Sequence, residues 1–299
     1  MKNIKFFFAA MALMAASCTN ESFEQSSEQA VEQSQLTPVT VRVDGFAVSQ
    51  SDFPAETRTR AAQDVADYDG VSSITLAFYA SNGTEAYKST QSKNDADFGE
   101  FECSLPMGSY TMVVLGYGLN DGEPAITLTS STEATFGSHP ARETFVATQA
   151  VNITNTNDVS LSATLNRIVS KLKIHSTDGC TENAVSIRTT FSAGGKAFNP
   201  TTGLATSNTG FINVLPIQST VGNSTNSNNY LFLATDEQTM TVTIDVLDTD
   251  GNIISHKVVN NVPLKRNRMT QLTGSLYSAG SNASFLIETD WLPETNVDF

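Results

Sequence analysis

The residues whose types could support catalysis or metal binding are few and scattered. The chain has three histidines, His139, His175 and His256, and none has a cysteine, aspartate or glutamate at metal-ligand spacing. The segment DTDGN (248–252) opens like a calcium loop, but Val259 stands where an EF-hand needs its bidentate acid, so a hairpin turn is favoured. No glycine-rich phosphate loop or nucleophile-elbow serine follows a strand pattern. The sequence therefore predicts a protein that is not an enzyme and that has no cofactor or metal.

Arg58 and Arg60 draw attention because they stand together in a chain that is poor in basic residues. They lie in the polar segment SQSDFPAETRTRAAQDVADYDG (49–70), between the alternating patterns TPVTVRVDGFAV and VSSITLAFYASNG. Taken alone, the pair fits a solvated loop with two incidental arginines.

The N-terminal residues have the pattern of a signal peptide. Lys2 and Lys5 precede an apolar run, 6–16, that is too short to span a bilayer as a helix. The sequence Ala-Ala-Ser-Cys at 15–18 resembles a bacterial lipobox, with alanine in place of the usual leucine. We therefore expect cleavage before Cys18 and acylation of this residue, because several acyl chains hold a protein durably on a membrane. The alternative is ordinary signal cleavage, with Cys18 discarded or left as a free thiol.

Composition narrows the classes of partner. The chain has 17 Lys and Arg against 31 Asp and Glu, a formal net charge of −14, and no basic patch, so nucleic acid is not expected as a partner. The segment after Cys18, TNESFEQSSEQAVEQSQ, is polar and acidic and is predicted to be a disordered tether. Cys103 and Cys180 are too few for a disulfide framework, and a single bridge between them is left open.

Hydrophobic alternation predicts β-strands along nearly the whole chain. Val39, Val41 and Val43 alternate with polar residues, which is the period of a half-buried strand. The same period recurs at 74–79, 110–118, 159–165, 168–175, 185–191 and 240–247. Asn82-Gly83 and Asp250-Gly251 are predicted two-residue hairpin turns. No segment carries a sustained helical stripe, so the sequence predicts an all-β protein built from sandwiches.

A change of composition divides the folded part of the chain. Segment 119–158 is rich in Asn, Thr, Ser and Glu with only brief apolar pairs, and a second set of alternating strands follows it. We predict a signal peptide at 1–17, a disordered acidic tether at 18–36, an N-terminal β-sandwich at 37–160 and a C-terminal β-sandwich at 161–299. The inward faces are predicted from the alternation to carry Ile74, Leu76 and Phe78 in the first sandwich and Val242, Ile244 and Val246 in the second.

Three stretches, in this order, carry a resemblance to a known family. They are TPVTVRVDGF with TRTRAA and VSSITLAFYASNGTE, then FGEFECSLPMGSYTMVVLGYG, then NNVPLKRNRMTQLTGSLYSAG with the closing SFLIETDWLPETNVDF. They resemble the fimbrial subunit and anchor lipoproteins of the Bacteroidales, the type V pilus family of fimbrillins and FimB/Mfa-type anchors, over most of the chain from Cys18 onward. The resemblance implies two transthyretin-like Greek-key β-sandwich domains. It also implies a surface-exposed outer-membrane lipoprotein that joins other fimbrial subunits in a fimbrium and supports cell adhesion.

The same resemblance implies a role for the arginine pair. In stalk-forming members an arginine-specific protease cuts the linker after the first strand, that strand leaves, and a terminal strand of another subunit fills the groove. The bond after Arg60 is the one we expect to be cut, with the bond after Arg58 second. The excised strand would contain Val39, Val41 and Val43. Anchor members keep the first strand. The TRTR linker favours a stalk or tip subunit, whereas 98–118 is more similar to an anchor, so the subtype stays open.

Two alternatives come from other functional classes. A glycan-binding surface lipoprotein would need an exposed platform of aromatic rings, whereas this chain has one tryptophan, Trp291, and seven scattered tyrosines. A hydrolytic enzyme would need two carboxylates that face each other in a cleft, and sequence alone does not place them. The apolar residues of the closing stretch, 281–299, fit either the last strand of its own domain or a strand donated to another subunit.

Overall fold

The alternating patterns of the sequence form strands throughout the part of the chain that the structure describes. The structure is a computed structural model, and it describes residues 35–47, 65, 67–278 and 285–289. The strands are β1 (Leu36–Ala47), β2 (Ser73–Ala80), β3 (Glu85–Ser92), β4 (Glu100–Pro106), β5 (Gly108–Tyr117), β6 (Thr127–Ser130), β7 (Glu133–Thr135), β8 (Thr144–Ile153), β9 (Val159–Arg167), β10 (Ser170–Ser176), β11 (Ser186–Phe191), β12 (Ala197–Asn199), β13 (Leu204–Ala205), β14 (Phe211–Pro216), β15 (Asn226–Leu231), β16 (Glu237–Leu247), β17 (Ile253–Lys265), β18 (Met269–Gly274) and β19 (Leu286–Thr289). Among these described residues, none belongs to a helix long and apolar enough to cross a membrane. The prediction of an all-β fold is confirmed.

The N-terminal half builds a sandwich from one curled sheet. Sheet A has seven strands in the order β3-β2-β5-β8-β9-β1-β4. The inner residues of β1 and β2 belong to one packed core, although β5, β8 and β9 separate these two strands in the sheet. The sheet must therefore curl back on itself. Gln91 of β3 joins its two ends, because its side-chain amide donates to Glu100 O at 2.7 Å and accepts from Gly99 N at 2.9 Å.

The C-terminal half is a sandwich of two facing sheets. Sheet C has the order β15-β10-β18-β19, and sheet D has the order β14-β11-β16-β17. Leu172 and Ile174 of β10 pack in one core with the inner residues of β16. That core contains, fully buried, the three residues predicted to face inward: Val242, Ile244 and Val246. The prediction for this strand is confirmed.

Strand β2 is buried on both faces, which differs from the half-buried strand that its alternation indicates. One face lies in the core of the curled sheet and carries, as predicted, Ile74, Leu76 and Phe78. Ala77 and Tyr79 point the opposite way and are also buried, in a cluster that includes Phe198 and Phe232 from the C-terminal half. Alternation did not indicate this second burial because the other members of the cluster are distant in sequence. The Tyr79 hydroxyl donates to Leu128 O at 3.4 Å, and the same cluster takes in residues of the C-terminal half.

Sheet B joins the two halves of the chain. It has the order β13-β12-β7-β6, and Phe198 of β12 pairs with Ala134 of β7. Segment 119–158, in which the sequence shows only brief apolar pairs, therefore contains β6, β7 and β8. Strand β8 was missed because the middle of its sequence, TFVATQAVNI, faces solvent while both of its ends are buried. The predicted boundary between residues 160 and 161 falls inside β9, and the division into two domains stays a prediction.

Both predicted hairpin turns form, but each loop has three residues instead of two. Ala80 N donates to Thr84 O at 2.8 Å across the first loop, and Asp248 N donates to Asn252 O at 3.0 Å across the second. Only the glycines take a positive φ, 83° at Gly83 and 82° at Gly251. A two-residue type I′ turn needs positive φ at both central residues, whereas a three-residue loop needs it only at the glycine. The turn at 248–252 is the predicted hairpin, and it joins β16 to β17.

Candidate strand-exchange site

Strand β1 is hydrogen-bonded along both of its backbone edges. It pairs antiparallel with β4, from Leu36↔Pro106 to Arg42↔Glu100, and parallel with β9, from Val39↔Val159 to Ala47↔Asn166. If β1 left the sheet, β4 and β9 would each expose a row of unpaired N–H and C=O groups. The first strand therefore lies in a slot that only another extended strand can fill.

The inner face of β1 supplies the apolar contacts of this slot. Val39, Val41 and Val43 are buried in the core of the curled sheet, as their alternation predicts. A bulge follows, because the pairing register with β9 shifts between Val43 and Gly45, and Gly45 has φ 151°. The bulge turns Phe46 inward, where its ring lies 4.9 Å from that of Phe145. Sequence reasoning missed Phe46, although a glycine inside a strand pattern is a known sign of a bulge.

Burial favours replacement of β1 over its simple loss. Each Val or Phe side chain that returns to water from such a core costs about 1.5–3 kcal/mol. The outer face of β1 adds little to the free energy that retains the strand. Its ion pair between Arg42 and Glu100 is exposed, and such pairs stabilise a fold by about 0–1 kcal/mol. The free energy that retains β1 thus comes from its backbone pairing and its inner face, and an apolar strand of another chain could supply both.

The chain is fixed again soon after the linker. Val65 is buried in the same core as β1, and its side chain lies against Gly99, the residue just before β4. The hydroxyl of Tyr68 donates to Glu143 Oε1 at 2.7 Å and accepts from Arg167 Nη2 at 2.8 Å. Arg167 Nε lies 2.6 Å from Glu143 Oε1. Burial is the main cause that raises the pKa of the Tyr68 phenol well above its usual range, and the nearby Glu143 carboxylate raises it further.

This buried group of Tyr68, Glu143 and Arg167 also reaches the C-terminal half. Arg167 Nη1 donates to Asn267 Oδ1 at 3.2 Å, and the guanidinium lies 5.0 Å from the centre of the Phe145 ring. The hydrogen bonds and the ion pair of this group do not involve β1, although the Tyr68 ring also packs on β1, 5.2 Å from the ring of Phe46. Sequence reasoning missed these residues, because lone charged residues far apart in the chain give no pattern.

The predicted modification sites themselves lie outside the described residues. Cys18 falls in segment 1–34, and Arg58 and Arg60 fall in segment 48–64, so lipidation and cleavage stay predictions. Trp291 also lies outside the described part.

The end of the described chain forms an edge strand of its own domain. Strand β19 pairs antiparallel with β18, from Thr270↔Thr289 to Thr273↔Leu286. Phe285 and Ile287 are half-buried against the core of the second sandwich, and Leu286 is 61% exposed. This arrangement agrees with the intramolecular alternative for residues 285–289. The strand has only four residues, of which two are apolar, and within the described part of the chain it pairs with a single neighbour.

Residues 275–278, which precede β19 in the chain, are held by more hydrogen bonds to the rest of the fold than β19 is. The carboxylate of Asp178 accepts hydrogen bonds from Leu276 N at 2.7 Å, from Tyr277 N and Ser278 N at 2.8 Å, and from the hydroxyls of Ser275 and Ser278. Burial alone would raise the pKa of this carboxyl, but these hydrogen bonds lower it well below its usual range. The root of the C-terminal segment is thus fixed while β19 is lightly held.

Asp178→Asn should lower the free energy of unfolding at pH 7 by about 1–3 kcal/mol, since N–H and O–H donors would lose a charged acceptor. A carboxyl with a lowered folded-state pKa stabilises the fold above its unfolded pKa of about 3.9, and the stabilisation is lost as the pH falls through the folded pKa. The difference in free energy of unfolding between the wild type and the variant, measured by urea titration, should therefore narrow progressively as the pH falls below about 4. Asp250→Asn, in an exposed turn, is the control and should change stability by less than about 0.5 kcal/mol. An equal gap at every pH would contradict the assignment.

The residues that could have supported catalysis do not converge. His175 Nδ1 lies 3.0 Å from Asn226 Oδ1, and His256 Nδ1 lies 2.6 Å from Asp245 Oδ1. Among the described residues, no group of three or more His, Cys, Asp or Glu side chains is placed to hold a metal. Cys103 and Cys180 are not joined, and burial raises the pKa of the Cys103 thiol to about 11.

Solved structures share this fold at low sequence identity. A candidate adhesin from Bacteroides ovatus matches with a TM-score of 0.52 and 12% identity, over 83% of this chain and 88% of that chain. A second candidate adhesin from the same species matches with a TM-score of 0.52 and 12% identity, over 87% of this chain and 97% of that chain. The fimbrial anchor protein Mfa2 from Porphyromonas gingivalis matches with a TM-score of 0.47 and 13% identity, over 86% and 98% of the two chains. At such identities the two adhesin candidates support the fold alone.

Sequence comparison gives the family. No curated protein matches the chain. The model of a family of unknown function, DUF6562, matches residues 36–298, which begins at the first residue of β1 and takes in every described strand. The chain therefore belongs to the DUF6562 family.

Proposed function

We propose that the protein is a structural subunit or membrane anchor of a cell-surface fimbria of the type V pilus kind, which assembles by strand exchange and supports adhesion. The observation that carries this proposal is the setting of β1. It is paired on both edges and buried on one face, and it joins the rest of the fold through the linker that contains Arg58 and Arg60. A strand in this position can be cut free of the chain without breaking any other strand.

The proposed acceptor is the slot between β4 and β9. Cleavage after Arg60, or after Arg58, by an arginine-specific protease would leave β1 held only by non-covalent contacts. The strand that replaces it must pair with both edges and supply apolar side chains at alternate positions. The proposed donor is the C-terminal segment of another copy or of another fimbrial subunit, since Phe285 and Ile287 provide such an alternation and the segment is lightly held in its own chain.

A fimbrial subunit fits the described surface better than a glycan-binding lipoprotein does. Stacking on sugars needs exposed aromatic rings, and every Phe and Tyr side chain in the described residues is buried or half-buried. The exposed large apolar residues of that part are aliphatic. This composition suits contact with another protein strand, and it leaves the choice among stalk, tip and anchor subunit to experiment.

Cys18 is proposed to hold the protein on the outer membrane through its acyl chains. Metabolic labelling with a fatty-acid analogue should mark the wild-type protein, whereas Cys18→Ala should lose the label and be released from the membrane, because the buried acyl chains supply the membrane affinity. Mass analysis of the N-terminus of the protein isolated from cells tests lipidation and linker cleavage together. An acylated Cys18 identifies an uncut chain, and an N-terminus at Ala61 identifies the processed one. Equal labelling of the wild type and Cys18→Ala would exclude lipidation at this residue.

A further inference from the structure

Strand β14 is an outer strand with an open backbone edge. It pairs with β11, from Ser186↔Pro216 to Phe191↔Phe211, and within the described part of the chain it has no strand on its other side. Ile217 N donates to Val185 O at 2.9 Å, which sets the phase of the ladder: the odd-numbered residues of β14 bond to β11. The N–H and C=O groups of Ile212 and Val214 therefore point to the open edge.

The phase agrees with the other side of β11. Ser192 N donates to Thr241 O at 3.0 Å, so the even-numbered residues of β11 bond to β16 and the odd-numbered ones bond to β14. The open edge is short, because Gly210 N already donates to Gly194 O and Pro216 has no N–H. Two residues, Ile212 and Val214, thus offer a complete set of donors and acceptors, centred on Asn213.

This edge lacks the charges that protect most outer strands. Ile212 is 54% exposed and Val214 is 51% exposed, and the strand FINVLP has no charged residue. Other outer strands of sheets A, C and D do carry charges: Glu85 and Lys88 on β3, Glu100 and Glu102 on β4, Lys257 and Lys265 on β17, and Glu288 on β19. The uncharged strand β15 is partly covered, because Tyr230 forms a bridge with Ala141. Charged residues normally keep an edge from pairing with another chain.

We propose that β14 pairs antiparallel with β14 of a second copy of this chain, about a two-fold axis at Asn213. In this register Ile212 faces Val214 of the second copy and Val214 faces Ile212, so the edge is complementary to itself. Two chains of net charge −14 meet here with no charged residue on either paired strand, whereas β4 carries Glu100 and Glu102 and β19 carries Glu288. The pairing involves neither β1 nor β19, so it is independent of strand exchange.

A buried oxygen at the proposed axis supports this register. Asn213 is 2% exposed, its Nδ2 donates to Asn229 Oδ1 at 3.2 Å, and its Oδ1 accepts no hydrogen bond from the described residues. Directly opposed residues that are not hydrogen-bonded through the backbone have Cβ atoms about 4.5–5.5 Å apart. The two Asn213 side chains would therefore lie together at the axis, where the second N–H of each amide is a donor for the other's Oδ1.

The association state tests the proposal. In sedimentation equilibrium of the uncut chain, the wild type should show a concentration-dependent dimer, and Val214→Lys should remain a monomer over the same range. Val258→Lys is the matched control, since it adds the same charge to an equally exposed valine on the opposite outer strand of sheet D. It should dimerise like the wild type. A monomeric wild type at every concentration, or loss of the dimer in Val258→Lys alone, would overturn the proposal.

Disulfide trapping tests the register. Opposed hydrogen-bonded residues have Cα atoms about 5.5 Å apart, which suits a disulfide. An oxidised mixture of Ile212→Cys and Val214→Cys proteins should give a cross-linked dimer that neither protein gives alone. Because each variant retains the native cysteines, the separate samples are the controls for these thiols. Equal cross-linking in the separate and mixed samples would refute the antiparallel register.

Discussion

Replacing Phe78 by alanine should lower the free energy of unfolding by about 3–5 kcal/mol. The ring is completely buried in the core of the curled sheet, 6.3 Å from the ring of Tyr110 and 6.5 Å from that of Tyr87. Strand β2 cannot shift to fill the cavity, because it pairs with β3 and β5 and its other face packs on a second core. The cost should therefore lie in the upper part of that range, as measured by urea denaturation followed by intrinsic fluorescence.

Val221→Ala provides the control for Phe78→Ala. Val221 is 58% exposed in a turn, so its truncation should change stability by less than about 0.5 kcal/mol. If Phe78→Ala cost less than about 1 kcal/mol, the register of β2 would be wrong, since a shift by one residue turns Phe78 away from this core.

Local alternation was enough to find the strands that have one polar face. Val39, Val41 and Val43 lie inward on β1 as their spacing predicts, because Thr40 and Arg42 on the other face meet solvent. The turn residues were also informative, since Gly83 and Gly251 take the positive φ that their hairpins need. Loop length was mispredicted, because the strand ends that decide it depend on pairing and not on the turn residues.

Contacts between residues that are distant in sequence explain the structural features that alternation did not predict. The second face of β2 is buried in a cluster that also contains Phe198 and Phe232. The partly polar sequence of β8 forms a strand because it pairs with β5 along its whole length and with β9 at Phe145 and Val146. At the candidate site, β1 was predictable as a strand, but its bulge and Phe46 were not, because one extra residue reverses the alternation. Arg167 and Asp178 gave no signal, since a single charged residue reveals its partners only after folding.

Treatment with an arginine-specific protease should make the purified full-length protein polymerise. The same treatment should give no polymer from a chain that lacks residues 284–299. The cut separates β1 from the rest of the fold, and the slot between β4 and β9 then accepts the C-terminal strand of another molecule. The truncated chain also gains an acceptor slot but has no donor, so growth cannot begin. It should still fold, because Asp178 fixes residues 275–278 through hydrogen bonds that the deletion leaves intact. Size-exclusion chromatography with light scattering measures the result.

The Arg58→Lys and Arg60→Lys double variant is the control, because it keeps the charge of the linker and removes the protease's preferred bonds. This variant should stay unpolymerised after protease treatment, since Arg42 lies in a strand that is paired on both edges and Arg167 is buried in an ion pair. Polymer in the cut truncated chain would rule out the C-terminal donor. Absence of polymer in both cut proteins, with β1 still bound, would favour an anchor. The two-sided pairing and the four buried apolar side chains of β1 would then serve to keep the slot closed, and the donor strand would have to enter elsewhere on the fold.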